Sequence, residues 1–153
     1  MNIQIKYLNL VDASASGLNV DTSVVSAGTC NCLARNGSQG LRISGVSLTT
    51  VTQTRIQNNP LGAFVQGSNT VNLDHNTVVK NTGDGISTLA TTASLITSST
   101  IQNNSGRGVV LTGSTGNFVN GNTISGNGDG LVNQVNCVLS TGNLGNDIPL
   151  LCL

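Results

Sequence analysis

The chain has 153 residues, which suits a single domain, and its formal net charge is zero. Six cations and six anions form no basic stripe of the kind that binds nucleic acid, and no apolar run approaches the roughly 20 residues that span a membrane. Glu is absent, and Asn, Gly, Ser and Thr are abundant. Because Asn, Gly and Ser favour turns while Thr, Val and Ile favour strands, the composition predicts many short strands separated by turns. A mean hydropathy of +0.11 at zero net charge excludes a disordered chain.

The N-terminal segment alternates apolar and polar residues at Ile3, Ile5 and Tyr7, which predicts a strand. It lacks the basic start and the apolar stretch of a signal peptide. The protein is therefore expected either to be cytoplasmic or to have lost its signal, in which case an extracellular or cell-surface location is favoured. No amphipathic helix is predicted to cap this end, so we expect a longer parent protein or a homo-oligomer that buries it.

Apolar residues recur through the rest of the chain at intervals of 22 or 23 residues. The first column contains Leu10, Leu33, Ile56, Val78, Ile101 and Ile124. The second contains Leu18, Leu41, Phe64, Ile86, Val109 and Leu131. The third, which is less regular, contains Val25, Leu48, Leu73, Leu95, Phe118 and Val138. Because a repeat of this length indicates stacked coils, each coil is predicted to have three strands facing one core.

Two columns of turn residues keep the same register. Three residues after the first apolar column stand Ala13, Asn36, Asn59, Asn81, Asn104 and Asn127. Immediately before the second apolar column stand Gly17, Gly40, Ala63, Gly85, Gly108 and Gly130. Stacked strands lie about 4.8 Å apart, so that equivalent Asn residues can hydrogen-bond amide to amide along the stack. Asn also tolerates unusual backbone angles, and Gly supplies the dihedrals that redirect the chain.

The fold class predicted from these columns is all-β. One domain over residues 1–153 is expected to form a parallel solenoid of about six coils with three short parallel sheets, regular from about residue 8 to residue 140. An antiparallel sandwich would show turns every 8–12 residues without a fixed coil register. A leucine-rich repeat would need a leucine consensus, and a left-handed β-helix would need a six-residue period, and neither pattern is present.

Three segments closely resemble the repeats of right-handed parallel β-helix proteins of the pectate-lyase-like superfamily. They are NTVVKNTGDGIS (residues 76–87), STIQNNSGRGVV (99–110) and NTISGNGDGLV (122–132). The resemblance covers roughly residues 8–140 and implies a right-handed, single-stranded winding. That superfamily includes polysaccharide lyases, hydrolases and epimerases, phage tailspikes and surface adhesins, so the resemblance implies a fold without choosing a function.

The segment VNLDHN (residues 71–76) resembles the Asp-His segment of pectate lyases, in which an Asp helps to bind calcium. On that likeness Asp74 would be a metal ligand, and Ca²⁺ is the one cofactor that the resemblance suggests. Asn72 stands where the family has Trp, and no other acidic residues cluster beside Asp74, although calcium takes six to eight oxygens. The alternative is that Asp74 and His75 are exposed residues where a strand meets a turn.

A charged column is predicted two residues before the second apolar column. After Ser16, Gln39 and Gly62, the consecutive coils carry Asp84, Arg107 and Asp129. The two Asp would lie about 10 Å apart, near the upper limit for inverting glycoside hydrolysis, and the Arg could hold a uronate carboxylate. The alternative is a surface ion-pair ladder, in which each exposed pair contributes about 0–1 kcal/mol. The galacturonase Asp-Asp and Gly-His-Gly signatures are absent.

The four cysteines are Cys30, Cys32, Cys137 and Cys152. The first two would point the same way along a strand and form a strained bridge, whereas the last two could meet near the C-terminal end. Buried or free thiols with at most one disulfide are expected.

The repeat dissolves after about Val138, and residues 141–153 are predicted to form a C-terminal cap. The stretch from Ile148 onward is apolar enough to fold over the last coil. Pro149 would block continued strand pairing there.

Taken together, the sequence favours a non-catalytic β-helix module, structural or contacting a surface glycan, within a larger protein or assembly. The alternative is a polysaccharide lyase or glycoside hydrolase that uses Asp84, Arg107 and Asp129, or calcium at Asp74. The chain has no Trp, and Phe64 and Phe118 both stand in predicted core columns, so no sugar-stacking cleft is apparent. Polysaccharide or a cell-surface glycan is the expected partner, with no nucleic acid and no membrane span.

Overall fold

Three parallel sheets form the walls of a solenoid in the computed structural model, which describes residues 3–21, 25–128, 133–134 and 139–141. Strands are numbered in chain order, and each one pairs with the strand three places later. Sheet A contains β1 (Ile3–Lys6), β4 (Val25–Thr29), β7 (Ser47–Thr52), β10 (Asn69–Asp74), β13 (Leu95–Thr97), β16 (Phe118–Asn120) and β19 (Leu139–Thr141). Sheet B contains β2 (Asn9–Val11), β5 (Cys32–Ala34), β8 (Arg55–Gln57), β11 (Thr77–Val79), β14 (Thr100–Gln102) and β17 (Thr123–Ser125). Sheet C contains β3 (Leu18–Asp21), β6 (Gln39–Ser44), β9 (Leu61–Gln66), β12 (Ile86–Leu89), β15 (Val109–Thr112) and β18 (Asn133–Gln134).

The predicted architecture is confirmed. Each coil contributes one strand to each sheet, all pairings are parallel, and sheets B and C have six strands each, so that five full turns separate their first and last strands. The described residues include no helix long and apolar enough to cross a membrane. The C-terminal cap predicted for residues 141–153 falls almost entirely outside the described part of the chain.

The first apolar column is confirmed in sheet B. The register pairs each member with the next from Leu10 to Ile124, and the inner four members are at most 1% exposed. These residues stack at the strand spacing of about 4.8 Å, so each aliphatic side chain packs on its own counterpart in the next coil. The column therefore forms one continuous wall of the hydrophobic core.

Over the described coils the second apolar column is correct except in one, and Leu131 lies outside the described residues. Leu41 pairs with Ala63 rather than with Phe64, and Ala63 is 1% exposed. That coil is one residue shorter between Asn59 and Gly62 than the other coils are at the same place. Because side chains alternate along a strand, the loss of one residue moves Phe64 to the outer face of sheet C. Gly62 accordingly takes the place in the glycine column that was predicted for Ala63.

The third apolar column is wrong by one residue at Leu95 and Phe118 and by three residues at Leu48, and Val138 lies outside the described residues. The buried column of sheet A is Val51, Leu73, Ile96 and Val119. Of the predicted members only Leu73 belongs to it. Leu48 is 64% exposed and Phe118 is 41% exposed. The adjacent apolar pairs in β13 and β16 hid the alternation, because either member of a pair fits a core position by hydrophobicity alone.

The asparagine column is confirmed at the turn between sheets B and C, which we call the B–C corner. The Oδ1 atom of Asn81 accepts hydrogen bonds from the backbone N and from Nδ2 of Asn59, at 3.0 and 3.2 Å. The Nδ2 atom of Asn81 donates to Oδ1 of Asn104 at 2.8 Å and to a carbonyl oxygen of sheet B at 3.4 Å. The same pattern joins Asn36 to Asn59 and Asn104 to Asn127. The ladder gives hydrogen-bond partners to backbone N–H groups that are buried at the corner, from Ala13 to Asn104.

A second ladder, which the sequence analysis did not identify, lies at the turn between sheets A and B, here the A–B corner. Its members are chemically mixed: Asn31, Thr54, Asn76, Ser99 and Asn122. In four of them a side-chain oxygen accepts a backbone N–H of the preceding coil, at 2.9–3.0 Å: Asn31, Asn76, Ser99 and Asn122. All five are at most 3% exposed.

The chain turns these corners with residues in the left-handed backbone region. Among the described residues, fourteen non-glycine residues have φ between 48° and 60°, and ten of them are at these two corners. At the A–B corner the left-handed residues are Tyr7, Cys30, Gln53, His75, Ser98 and Gly121, and at the B–C corner they are Asp12, Arg35, Asn58, Lys80, Asn103 and Gly126. The left-handed region costs a non-glycine residue about 1 kcal/mol or more, so the stacked hydrogen bonds must hold it in place.

Candidate functional site

The outer side of sheet A presents two columns of side chains in register. One contains Thr50, Asn72, Leu95 and Phe118, and the other contains Thr52, Asp74, Thr97 and Asn120. We call these eight residues, together with the neighbouring corner residues Gln53, His75 and Ser98, the sheet A face. The alternation of the strands aims these side chains away from the core, and the parallel register repeats them at about 4.8 Å. The face is therefore a periodic array that is mostly of hydroxyl, amide and carboxylate groups, with the apolar Leu95 and Phe118 at one end of the first column.

Asp74 and His75 form a hydrogen-bonded pair at the centre of this face, which we call the dyad. Asp74 is the last residue of β10, and His75 is the left-handed corner residue that follows it. Nδ1 of His75 lies 2.6 Å from Oδ2 of Asp74, and Thr97 of the next coil donates its hydroxyl to Oδ1 of Asp74 at 2.6 Å. The side chain of His75 is 62% exposed and that of Asp74 is 27% exposed.

The surroundings of Asp74 favour its ionised form. Partial burial is the largest single influence and pushes the pKa of Asp74 upward. The hydrogen bonds from Thr97 and His75, the charge of His75 and its backbone N–H outweigh that influence, so the pKa of Asp74 lies below its ordinary value. An ionised carboxylate can only accept hydrogen bonds, so the proton in the short contact belongs to Nδ1. In neutral His75 the free lone pair is then on Nε2.

A shallow, open pocket of ≈ 300 Å³ adjoins the dyad, and we call it the dyad pocket. Its lining residues are Thr52, Gln53, Asp74 and His75. They come from two consecutive coils, at the edge where sheet A ends and the A–B corner begins. The position of the dyad pocket follows from the parallel register, because that register brings the same edge of each coil into one line.

The donors around Asp74 bear on the calcium site that is predicted there. Both carboxylate oxygens already accept hydrogen bonds, from Thr97 and His75. Within the described ranges no group of three or more His, Cys, Asp or Glu residues could hold a metal ion. Calcium takes six to eight oxygen ligands, so the residues present fit it poorly. Calcium binding at Asp74 stays a prediction.

The charged column is partly assembled at the loop between sheets B and C. Oδ1 of Asp84 accepts the backbone N–H of Arg107 at 2.7 Å, and Oδ2 lies 3.2 Å from Nη2 of the same Arg. The side chains of Asp84 and Arg107 are 20% and 32% exposed. Leu61, rather than Gly62, precedes Asp84 in this column. Asp129 lies outside the described residues, so the three-residue ladder and its catalytic role stay predictions.

The aromatic residues are not where the sequence analysis placed them. Phe118 lies on the sheet A face, two strands from Asn72, and Phe64 lies on the outer side of sheet C, next to Arg42. Tyr7 stands in the same corner column as His75 and is 76% exposed. The prediction that no aromatic side chain is available to stack on a sugar is therefore wrong. Side chains alternate with a period of two along each strand, so the exposure of Phe64 and Phe118 follows from the sequence once the register of the strand is known.

The cysteines of the described region are free. Cys30 is exposed and Cys32 is half-buried, and no disulfide joins them. Sγ of Cys30 lies 3.7 Å from Oε1 of Gln53 in the next coil. Cys137 and Cys152 lie outside the described residues.

Solved structures with similar folds include the periplasmic alginate epimerase AlgG, with a TM-score of 0.72 at 15% sequence identity over 88% of this chain and 42% of that chain. A single mutant of that epimerase gives a TM-score of 0.60 at 15% identity over 93% of this chain and 46% of the other. A double mutant gives 0.58 at 15% identity over 93% and 42%. This chain spans less than half of these structures, and at such identity the similarity shows the fold alone.

No curated protein sequence matches this chain. The model of the family described as right handed beta helix region matches residues 1–144. That match agrees with the three parallel sheets, and it supports the right-handed winding that the resemblance implied. Since it covers nearly the whole chain, this protein belongs to the right handed beta helix region family.

Proposed function

We propose that this protein binds an extended polysaccharide across the sheet A face. The observation that carries the proposal is the polar dyad pocket on an otherwise regular wall, flanked along the stack by exposed aromatic side chains. Binding sites combine apolar contact surface with a few well-placed polar groups, and this face has both.

The spacing of the face supports a repeating ligand. Thr52, Asp74, Thr97 and Asn120 follow one another at the strand spacing of about 4.8 Å. A polysaccharide is itself a repeating chain of hydroxyl-bearing rings. Hydroxyl and amide side chains both donate and accept, so each coil offers one ring the kind of partner that its hydroxyl groups require.

Aromatic side chains stand on both sides of the dyad along the stack. Phe118 lies two strands from Asn72, about 10 Å along the stack, and is 41% exposed. Tyr7 precedes His75 by three coils in the same corner column. The apolar face of a sugar ring packs well on an aromatic side chain, which buries a large apolar area.

The test uses the only two phenylalanines of the chain as a matched pair. Phe118→Ser changes the sheet A face, and Phe64→Ser makes the same change on sheet C. Binding to a panel of polysaccharides is measured by affinity electrophoresis and calorimetry, with circular dichroism to verify folding. Phe118→Ser should weaken binding about tenfold, while Phe64→Ser leaves it unchanged. Equal effects of the two variants, or no binding across a broad panel, would contradict the proposal.

A second candidate function, a polysaccharide-active enzyme, is favoured by the geometry of the dyad. The 2.6 Å contact orients His75 with Nε2 free, the arrangement required of a general base. The assays are reducing-end release and formation of an unsaturated uronate, each with and without calcium. Turnover that is lost in His75→Asn supports the dyad as the catalytic group. Turnover that is lost in Asp84→Asn or Asp129→Asn supports the charged column instead, and silence across the panel contradicts the enzyme.

A further inference from the structure

Charged side chains are unevenly distributed around the solenoid. Five of the six Lys and Arg residues lie on sheets B and C or at the turns between them: Arg35, Arg42, Arg55, Lys80 and Arg107. Lys6 is in β1, three strands from Asp74 and about 14 Å away along the stack. In β7, β10, β13 and β16 and the corner residues that follow them, Asp74 and His75 are the only ionisable groups on the sheet A face.

Most of the cations elsewhere also bond to neighbours on their own sheet or at the turn between sheets B and C. Arg35 bonds Asp12 at 2.9 Å, Arg42 bonds Asn19 at 3.1 Å, and Arg107 pairs with Asp84 at 3.2 Å. Arg55 begins β8, close to the A–B corner. Its Nε atom bonds Oε1 of Gln57 at 2.6 Å, which ties the guanidinium to a side chain of the same strand of sheet B.

We infer that the polysaccharide held on the sheet A face is uncharged. The inference rests on the proposed function and goes beyond it by naming the substrate class. A polyuronate carries a carboxylate on every ring, so a chain lying along this face would place carboxylates beside ionised Asp74 with no Lys or Arg in the four strands to pair them. Like charges a few Å apart repel, and salt weakens that repulsion.

A neutral sugar chain fits the same groups without that repulsion. Asp74 accepts two hydrogen bonds within the protein, and a carboxylate has room for about four, so it can also accept from a sugar hydroxyl. Thr52, Gln53 and Asn120 supply donors and acceptors on either side of it. The carboxylate that disfavours a polyanion thus favours a hydroxyl-rich neutral chain.

The test compares neutral polysaccharides (linear glucan, xylan and mannan) with polyuronates (alginate and polygalacturonate) of matched length, at low and high salt of about 0.02 and 0.5 M NaCl. The neutral chains should bind with affinities that change less than about twofold with salt, and the polyuronates should bind at least about tenfold more weakly at low salt. Asp74→Asn should raise polyuronate affinity, and Arg55→Gln should leave all affinities unchanged.

The possible failures are distinguishable. Tighter polyuronate binding that is still lost in Phe118→Ser overturns the uncharged class but keeps the sheet A face as the binding surface. Tighter polyuronate binding that is lost in Arg55→Gln and unaffected by Phe118→Ser overturns the inference and moves the site to sheet B. Absence of binding by both classes overturns the proposed function itself.

Discussion

At the B–C corner five asparagines point inward in consecutive coils, whereas the A–B corner carries Asn, Thr and Ser in the equivalent positions. Both sets supply oxygens that accept the backbone N–H of the preceding coil, as Asn81 does for Asn59 and Ser99 does for Asn76. The asparagines of the B–C corner also bond amide to amide along the stack, whereas the hydroxyl of Ser99 donates to the carbonyl oxygen of Thr97 within its own coil. An acceptor for the backbone N–H is therefore common to both corners, and amide-to-amide bonding is an addition at the B–C corner.

The outer sides of the two corners differ as well. Near the B–C corner, the carboxylate of Asp84 accepts hydrogen bonds from both the backbone N–H and the guanidinium of Arg107, so both of its oxygens bond to the same partner. At the A–B corner the dyad borders an open pocket, and His75 keeps one ring nitrogen free of the short contact with Asp74. The charged groups of Asp84 and Arg107 bond to each other between coils, so they are not available to a ligand. The charged group of Asp74 borders an open pocket, so a ligand can reach it.

The largest expected effect is a difference in the free energy of unfolding between variants of the asparagine ladder at the B–C corner and variants of the mixed ladder at the A–B corner. Asn81→Ala removes four hydrogen bonds of a side chain that is 1% exposed, and should lower the free energy of unfolding by about 3 kcal/mol. Ser99→Ala removes one acceptor and one donor, and should cost about 1 kcal/mol. Denaturation followed by circular dichroism gives both values, and exposed Asn9→Ala is the control. Equal costs at the two corners would remove the distinction between the ladders.

The next effect concerns glycines. A Cβ added at Gly85 would lie 2.7 Å from the carbonyl oxygen of Gly108, 2.8 Å from Nδ2 of Asn104 and 2.8 Å from Cγ2 of Ile101. Gly85→Ala should therefore cost about 2 kcal/mol through overpacking. At the A–B corner, a Cβ added at Gly121 would have no atom closer than 4.0 Å. Gly121→Ala should therefore lower the free energy of unfolding by only about 1 kcal/mol, because Ala disfavours the left-handed backbone there. Thermal unfolding of both variants checks the order, and a reversal would refute the close packing of the B–C corner.

A smaller effect should appear in the pH dependence of stability. The folded pKa of Asp74 lies below its ordinary value of 3.8, so its bonds stabilise the fold above that pH, and the contribution is lost as pH falls through the folded pKa. Asp74→Asn should lower the free energy of unfolding at neutral pH by less than about 1 kcal/mol, and the difference from the native protein should vanish in acid. Urea titrations at several pH values measure it, and a difference that grows in acid would contradict the assignment.

The smallest effect is expected at the exposed pair of the B–C corner. Arg35 donates two hydrogen bonds of 2.9 Å to Asp12, and the bond lowers the pKa of that carboxyl, but the two side chains are 58% and 61% exposed. Solvent screens such pairs. Asp12→Asn and Arg35→Gln should leave the melting temperature within experimental error. A shift as large as that of Asp74→Asn would show that exposure does not separate the two charged pairs.

Much of the fold was readable from the sequence because stacking places like residues on like residues. The column that contains Leu33, Ile56, Val78 and Ile101 repeats one chemical type at one period, and so does the asparagine column. These two columns therefore predict sheet B and the B–C corner from the sequence alone. The mixed ladder was missed because Asn76 and Ser99 share a function without sharing a residue type. The left-handed corner residues are not predicted either, because residue types such as His75 and Lys80 do not by themselves indicate a positive φ angle.

The amino-acid sequence alone determined the solenoid, its period and its uniform ladders, because repeated chemistry at a fixed spacing has few other physical solutions. The tertiary structure decided which neighbour in an apolar pair faces inward, and so placed Phe118 on the surface and Ile96 in the core. It also decided which charged groups meet. Asp74 and Thr97 are far apart in the chain, and only the parallel register, which sets one coil on the next, brings them to 2.6 Å beside the dyad pocket.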